Sequence, residues 1–150
     1  MRVTEARASD VAMLILRAAT QVIDGIQRGL AERGFSDVRP AHGFAFVRIS
    51  AGDATVAEIA AHLGVTKQAA SQLVEQLVQR GYVKREPDPS DRRSRRLALT
   101  ARGWDCTRAA QDAAGDTTAA WEQQLDARGM AALHAALQAV VVPGSLRPGW

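Results

Sequence analysis

The chain has 150 residues, 47% of them apolar and 23% charged, with a formal net charge of +3. That length carries one ordinary domain with its own core, residues 1–150, and the composition excludes a disordered, collagen-like or coiled-coil chain. A single cysteine, Cys106, excludes an internal disulfide framework and a multi-cysteine zinc site. With no export-type leader and no membrane-length apolar run, the expected setting is the cytoplasm.

In chain order, the first pattern runs from about Asp10 to Arg33, with Val11, Leu14, Ile15, Ala18, Val22, Ile26 and Leu30 at helical spacing. This predicts a long amphipathic helix that ends at Gly34. Pro40 suits the first turn of a short second helix carrying Phe44, Val47 and Ile49. Thr55 and Glu58 then stand at capping-box spacing before Ile59, Ala60 and Leu63, which predicts a three-turn helix closed by Gly64. Thr66 caps the next helix, whose apolar face is Ala70, Leu73, Val74, Leu77 and Val78 and whose end is Gly81.

After Gly81 the pattern changes to two short β-prone runs, Tyr82 to Glu86 and Arg95 to Leu99. The turn-rich segment from Pro87 to Asp91 separates them, so a hairpin is expected. Thr100 can cap a helix that continues through Trp104 and Trp121 towards Leu125. A final helix carries Met130, Leu133, Leu137, Val140 and Val141 and stops at Pro143 and Gly144. The tail from Gly144 to Trp150 has too few periodic apolar residues to be assigned an element.

Two short helices joined by Leu63-Gly-Val-Thr66 form a helix-turn-helix, in which the second helix enters a major groove of DNA. With its apolar stripe turned inward, that helix leaves Lys67, Gln68, Ser71, Gln72 and Glu75 outside. Gln can pair with adenine, Ser with several base edges, and Lys with guanine or phosphate. The basic residues are gathered behind it. Seven of the nineteen Lys and Arg residues fall between Lys84 and Arg102, four of them in Arg92-Arg-Ser-Arg-Arg96, a hairpin suited to phosphates or a minor groove. Asp91 is expected to pair with a neighbouring arginine and hold the wing in shape.

These stretches, Thr55-Val-Ala-Glu-Ile-Ala-Ala-His-Leu-Gly-Val-Thr66, Gln79-Arg-Gly-Tyr-Val83, Asp88-Pro-Ser-Asp-Arg-Arg93 and Leu99-Thr-Ala-Arg-Gly103, resemble the MarR-type regulators, named for multiple antibiotic resistance. The resemblance implies a mainly α fold with a small β-hairpin wing. A winged helix-turn-helix core, 40–100, would be flanked by dimerisation helices, 10–34 and 104–142. It further implies a homodimer on a pseudo-palindromic operator, most often as a repressor. Thr66, Lys67, Gln68, Ser71 and Gln72 would make groove contacts, Asp91 and Arg93 would form the wing motif, and Arg92, Arg95 and Arg96 would bind backbone. Release by a small aromatic or phenolic anion is implied too, in a cleft expected to be lined by Arg17, His42, Phe46 and Trp104. Taken singly, Phe46 and Trp104 also read as core and His42 as a surface residue.

The residues offer no phosphate loop, no Gly-x-Gly-x-x-Gly and no catalytic triad, so neither an enzyme nor a cofactor is expected. No metal is expected either, because His42, His62 and His134 are scattered. Two alternatives stay open: a winged-helix module that binds protein instead of DNA, and a regulator that senses oxidants through Cys106.

Overall fold

Threonine side chains cap the starts of three helices in this chain. The computed structural model describes residues 7–147 and shows, in order, α1 (Ala8–Glu32), α2 (Pro40–Ser50), α3 (Val56–Leu63), α4 (Lys67–Gln79), β1 (Val83–Asp88), β2 (Asp91–Leu99), α5 (Ala101–Ala119) and α6 (Glu122–Val140). At α3 the Thr55 amide donates to Glu58 Oε2 at 2.7 Å and the Glu58 amide to Thr55 Oγ1 at 3.3 Å. Thr66 Oγ1 accepts from the Ala69 amide and Thr100 Oγ1 from the Gly103 amide, each at 3.1 Å. Each such cap is worth about 1 kcal/mol. Gly64, at φ 67°, makes the left-handed turn from α3 to α4 that a residue with a Cβ would resist.

Three boundaries differ from expectation. The α3 helix has eight residues, little more than two turns instead of three. The hairpin is longer and its turn shorter, because Asp88 Oδ1 accepts from the Ser90 amide at 2.9 Å and the Ser90 hydroxyl at 2.8 Å. That side-chain clasp closes the turn at Pro89 and Ser90, so Asp91 to Ser94 join β2. Pro87 is tolerated because a two-stranded ribbon has free outer edges. The long helix expected to pass Trp121 stops at Ala119, and α6 is itself interrupted at Asp126 (φ 54°). There the carboxylate accepts from the Gly129 amide at 2.9 Å and starts a new helical run, a local bond that competes with continuation.

The strands pair antiparallel, Val83 with Leu99 and Arg85 with Leu97, and Leu97 also bridges to Ala54, whose carbonyl accepts its amide at 2.8 Å. The core sits beneath this base, where Phe46, Ile59, Leu63, Val74, Leu77, Tyr82, Val83 and Leu97 are buried. The α1 and α5 helices cross at a seam of small residues. A Cβ on Gly29 would stand 2.4 Å from Ala113 Cβ, and one on Gly25 would stand 2.0 Å from Thr117 Oγ1. At the other end of α5, a Cβ on Gly103 would meet the Tyr82 carbonyl oxygen at 2.3 Å.

The ends of the chain are built differently. Nothing in α6 is buried, and in α1 only Gly25, Gly29 and Leu30 are. Met13, Leu14 and Leu16 are more than half exposed, as are Val140 to Val142. No helix among the described residues is long and apolar enough to cross a membrane. Trp150 lies outside the described residues.

Candidate nucleic-acid interface

The α4 helix divides as its sequence pattern requires. Ala70, Val74 and Leu77 point into the core, while Lys67, Gln68, Ser71 and Gln72 are exposed and make no side-chain hydrogen bond or ion pair among the described residues. Thr66 is exposed as well, but its oxygen is engaged as the cap of the helix. Glu75, on the same side, accepts from Arg85 Nη2 at 2.9 Å and from Gln79 Nε2 at 3.3 Å. It ties α4 to β1, so the open polar surface is confined to the first two turns of α4.

The wing arginines separate into two groups. Arg92, Arg93 and Arg95 are exposed and form no ion pair among the described residues. Arg96, expected on sequence grounds to bind DNA, is instead held within the chain: one guanidinium nitrogen pairs with Asp53, and Nη2 lies 3.2 Å from Asp88 Oδ1. The Ser90 amide and hydroxyl, with Arg96 beside them, hold the Asp88 carboxyl below the usual carboxylate range. Asp91 shapes the wing by another route than the expected arginine pair. Its Oδ1 accepts from the Arg93 backbone amide at 2.9 Å, and the ion pair belongs to Asp88. Sequence reasoning misses Asp53 altogether and places Asp88 in the wing without its Arg96 pair, although Asp88-Pro-Ser is a recognisable turn-closing run.

Beneath the reading head, the buried Tyr82, in the turn between α4 and β1, ties the α1–α2 loop to α5. Its hydroxyl donates to Asp37 Oδ1 at 2.6 Å and accepts from Arg102 Nη2 at 3.0 Å, and the Arg102 guanidinium lies 4.6 Å from the ring centroid. The Tyr82 hydrogen bond lowers the pKa of Asp37, and burial raises that of Tyr82. Sequence reasoning misses this joint too, since Asp37 and Arg102 stand far apart in the chain with no spacing that links them.

The fold also leaves a cavity with a largely apolar lining. This cavity, of 240 Å³, lies between α1, α2 and α5, lined by Ile26, Phe44, Phe46 and Val47 among others. Among the described residues its only polar lining side chains are Gln27, Thr107 and Gln111, and none of these is charged. Of the four expected lining residues, Phe46 is present and Arg17, His42 and Trp104 are not. His42 is buried and its Nδ1 accepts from the Arg39 amide at 2.9 Å, so it caps α2; desolvation and the nearby Arg80 lower its pKa. Trp104 is 41% exposed outside the cavity, and Arg17 lies on the solvent-facing part of α1. Cys106 is 1% exposed, and burial pushes its thiol up to about 11, the opposite of what a peroxide-sensing thiolate needs.

The sequence profile of the MarR family matches residues 36–94, the span from α2 through most of the wing. No curated protein matches by sequence. Among solved structures, the reduced form of MarR from E. coli is 25% identical, with a TM-score of 0.73 over 87% of this chain and 96% of that one. A cysteine-to-serine mutant of E. coli MarR complexed with operator DNA is 23% identical, with a TM-score of 0.66 over 88% and 94% of the two chains. CouR from Rhodococcus jostii RHA1, bound to p-coumaroyl-CoA, is 22% identical, with a TM-score of 0.67 over 95% and 99%. With residues 36–94 matched by the family profile and its fold shared along most of its length, the protein resembles the MarR family in its winged helix-turn-helix and in its overall architecture.

Proposed function

We propose that the protein is a non-enzymatic transcriptional regulator that binds a pseudo-palindromic operator as a homodimer, acts as a repressor in the cytoplasm, and is released by a small aromatic ligand. The observation that carries the DNA-binding reading is the pairing of two unpartnered surfaces. The start of α4 offers Lys67, Gln68, Ser71 and Gln72, and the adjoining wing offers Arg92, Arg93 and Arg95 without acidic partners among the described residues. In this reading Gln68, Ser71 and Gln72 contact base edges, Lys67 a base or phosphate, and Thr66 caps α4 while facing the backbone. The three wing arginines sit on phosphates or in the minor groove. Arg96 and Asp91 hold the wing in shape. The operator complex of the E. coli MarR mutant, with the same fold, supports this assignment.

The dimer follows from the apolar surface that a single chain leaves in water. The exposed large side chains of α1 and of the end of α6 form the kind of face that a two-fold partner covers, and the two reading heads then address half-sites about 34 Å apart. The division into a reading head, 40–100, and dimerisation helices, 10–34 and 104–142, is part of this reading. The cavity is the effector site. Since a void of about 150 Å³ admits benzene, 240 Å³ has room for a bicyclic ring. CouR holding an aromatic thioester is the parallel among similar structures.

The test is selection of bound duplexes from a random pool at two salt concentrations, with the native protein, Gln68→Ala and Arg93→Ala. A palindromic motif that Gln68→Ala relaxes and Arg93→Ala weakens without changing is the expected result. Loss of all duplex binding even at low salt, by protein that is folded and dimeric, would overturn the assignment.

A further inference from the structure

Past Val140 the chain leaves α6 in an extended conformation and runs without regular structure to Arg147. Segments of this kind are ordinarily loose in solvent unless something ties them down. Here two consecutive side chains are tied. Leu146 forms part of the cavity wall and, among the described residues, is the one lining residue that comes from outside α1, α2 and α5. Arg147 lies against the turn between α3 and α4, where a Cβ on Gly64 would stand 3.1 Å from its Cδ and 3.3 Å from its Nε. Adjacent residues of one extended segment therefore touch the cavity and the hinge of the reading head.

We propose that this tail is a strap between the two sites: Leu146 takes up part of the space an effector needs, and a ligand entering the cavity lifts Leu146 and draws Arg147 off the helix-turn-helix. The proposal rests on the reading of the cavity as an effector site and adds how occupancy reaches the DNA-binding turn. The lining also names the ligand class. With no charged side chain facing the cavity among the described residues, and Gln27, Thr107 and Gln111 to bond a polar edge, a carboxylate would be desolvated there without a partner from them. The ligand is therefore uncharged where it enters, an aromatic or fused ring with a hydrogen-bonding group at one side.

Both grips are shallow. Leu146 is 45% exposed, so it competes with a ligand through roughly half of its side chain, and Gly64 offers Arg147 van der Waals contact with no ion pair among the described residues. A strap held this lightly yields to a ligand of ordinary affinity, and loosening either grip loosens the other, because one peptide joins them.

The experiment uses the full chain and two readouts. The first is binding of the neutral fluorophore 2-naphthol, a fused bicycle with one hydroxyl, to the native protein, Leu146→Ala and Arg147→Ala. The second is hydrogen exchange at the Val65 amide, which donates to the Ala60 carbonyl at 3.1 Å within the turn. The expected result is that Leu146→Ala binds the probe about 3- to 10-fold more tightly, as loss of a half-buried competing side chain implies. Arg147→Ala, which touches no part of the cavity, also tightens binding. Probe binding should speed Val65 exchange in the native protein, and both variants should show the faster exchange without probe.

Equal probe affinity in all three proteins with Val65 exchange unmoved overturns the strap and leaves the effector site standing. No probe binding by any of them, with Val65 exchange still faster in the variants, overturns the ligand-driven lift through failure of the effector reading, although the tail contact itself holds.

Discussion

Replacing Gly29 by alanine tests whether the seam between α1 and α5 is as close as it looks. The added Cβ would stand 2.4 Å from Ala113 Cβ, and neither atom can rotate away, since each is fixed by its own helix backbone. Restoring ordinary contact requires the helices to part by about 1 Å, because carbon atoms pack best at roughly 3.5 to 4 Å. Overpacking of this kind costs about 1 to 3 kcal/mol, and the better helix propensity of alanine returns about 1 kcal/mol. The expected net loss is up to about 2 kcal/mol, read as a lower urea midpoint at fixed protein concentration with an unchanged slope. Ala113→Gly, which removes the opposing methyl, should rescue Gly29→Ala in the double variant by more than the sum of the single effects allows. A Gly29→Ala protein that is more stable than the native chain, with no coupling to Ala113→Gly, would refute the close crossing.

Other substitutions probe the reading head. Arg92→Ala should leave the unfolding free energy within about 0.5 kcal/mol and reduce the slope of log affinity against log salt by about 1, as removal of one phosphate contact does. Arg96→Ala should instead cost about 1 kcal/mol of stability, because its guanidinium is shared between Asp53 and Asp88; equal thermal shifts for the two variants would erase the distinction. Tyr82→Phe deletes the hydroxyl that bonds Asp37 and Arg102 and should cost about 1 kcal/mol at neutral pH. Asp37 has a folded pKa below its ordinary 3.8, so its contribution is present above that value and lost as pH falls through the folded one. Urea titrations should therefore show a shallower loss of stability below about pH 4 in Tyr82→Phe than in the native protein. Cys106 should resist a thiol-specific reagent in the native state and react once urea unfolds the chain, and fast labelling of folded protein would contradict its burial.

What was legible in the sequence is what neighbouring residues decide among themselves. Thr55 with Glu58, Thr66 with Ala69, and Gly64 carry their instructions within four positions, and the corresponding caps and turn appear where those residues stand. The inward and outward faces of α4 follow in the same way from a period of 3.6 residues. What was not legible concerns partners that only the folded chain brings together. Arg96 looks like its exposed neighbours until β2 sets it beside Asp53, forty-three positions away. His42 looks like a free imidazole until the start of α2 folds its Nδ1 onto the Arg39 amide. Helix position alone points Trp104 to the cleft, but the turn of α5 that reaches the cavity begins at Thr107.

The contact between Gly103 and the Tyr82 carbonyl turns α5 into a lever with one end clamped. With the glycine lacking the atom that would hold the two apart, and with Tyr82, Asp37 and Arg102 bonded around that point, the first turn of α5 is pinned against the residue that follows the α4 turn. The helix is 19 residues long, about 28 Å at 1.5 Å per residue. A tilt of about 5° about the clamped end displaces the opposite end by about 2.5 Å, and conversely a displacement of that size at the far end rotates the reading head by about 5°. Angular changes too small to disturb any single hydrogen bond at the pivot therefore become distances that matter on the scale of a DNA groove.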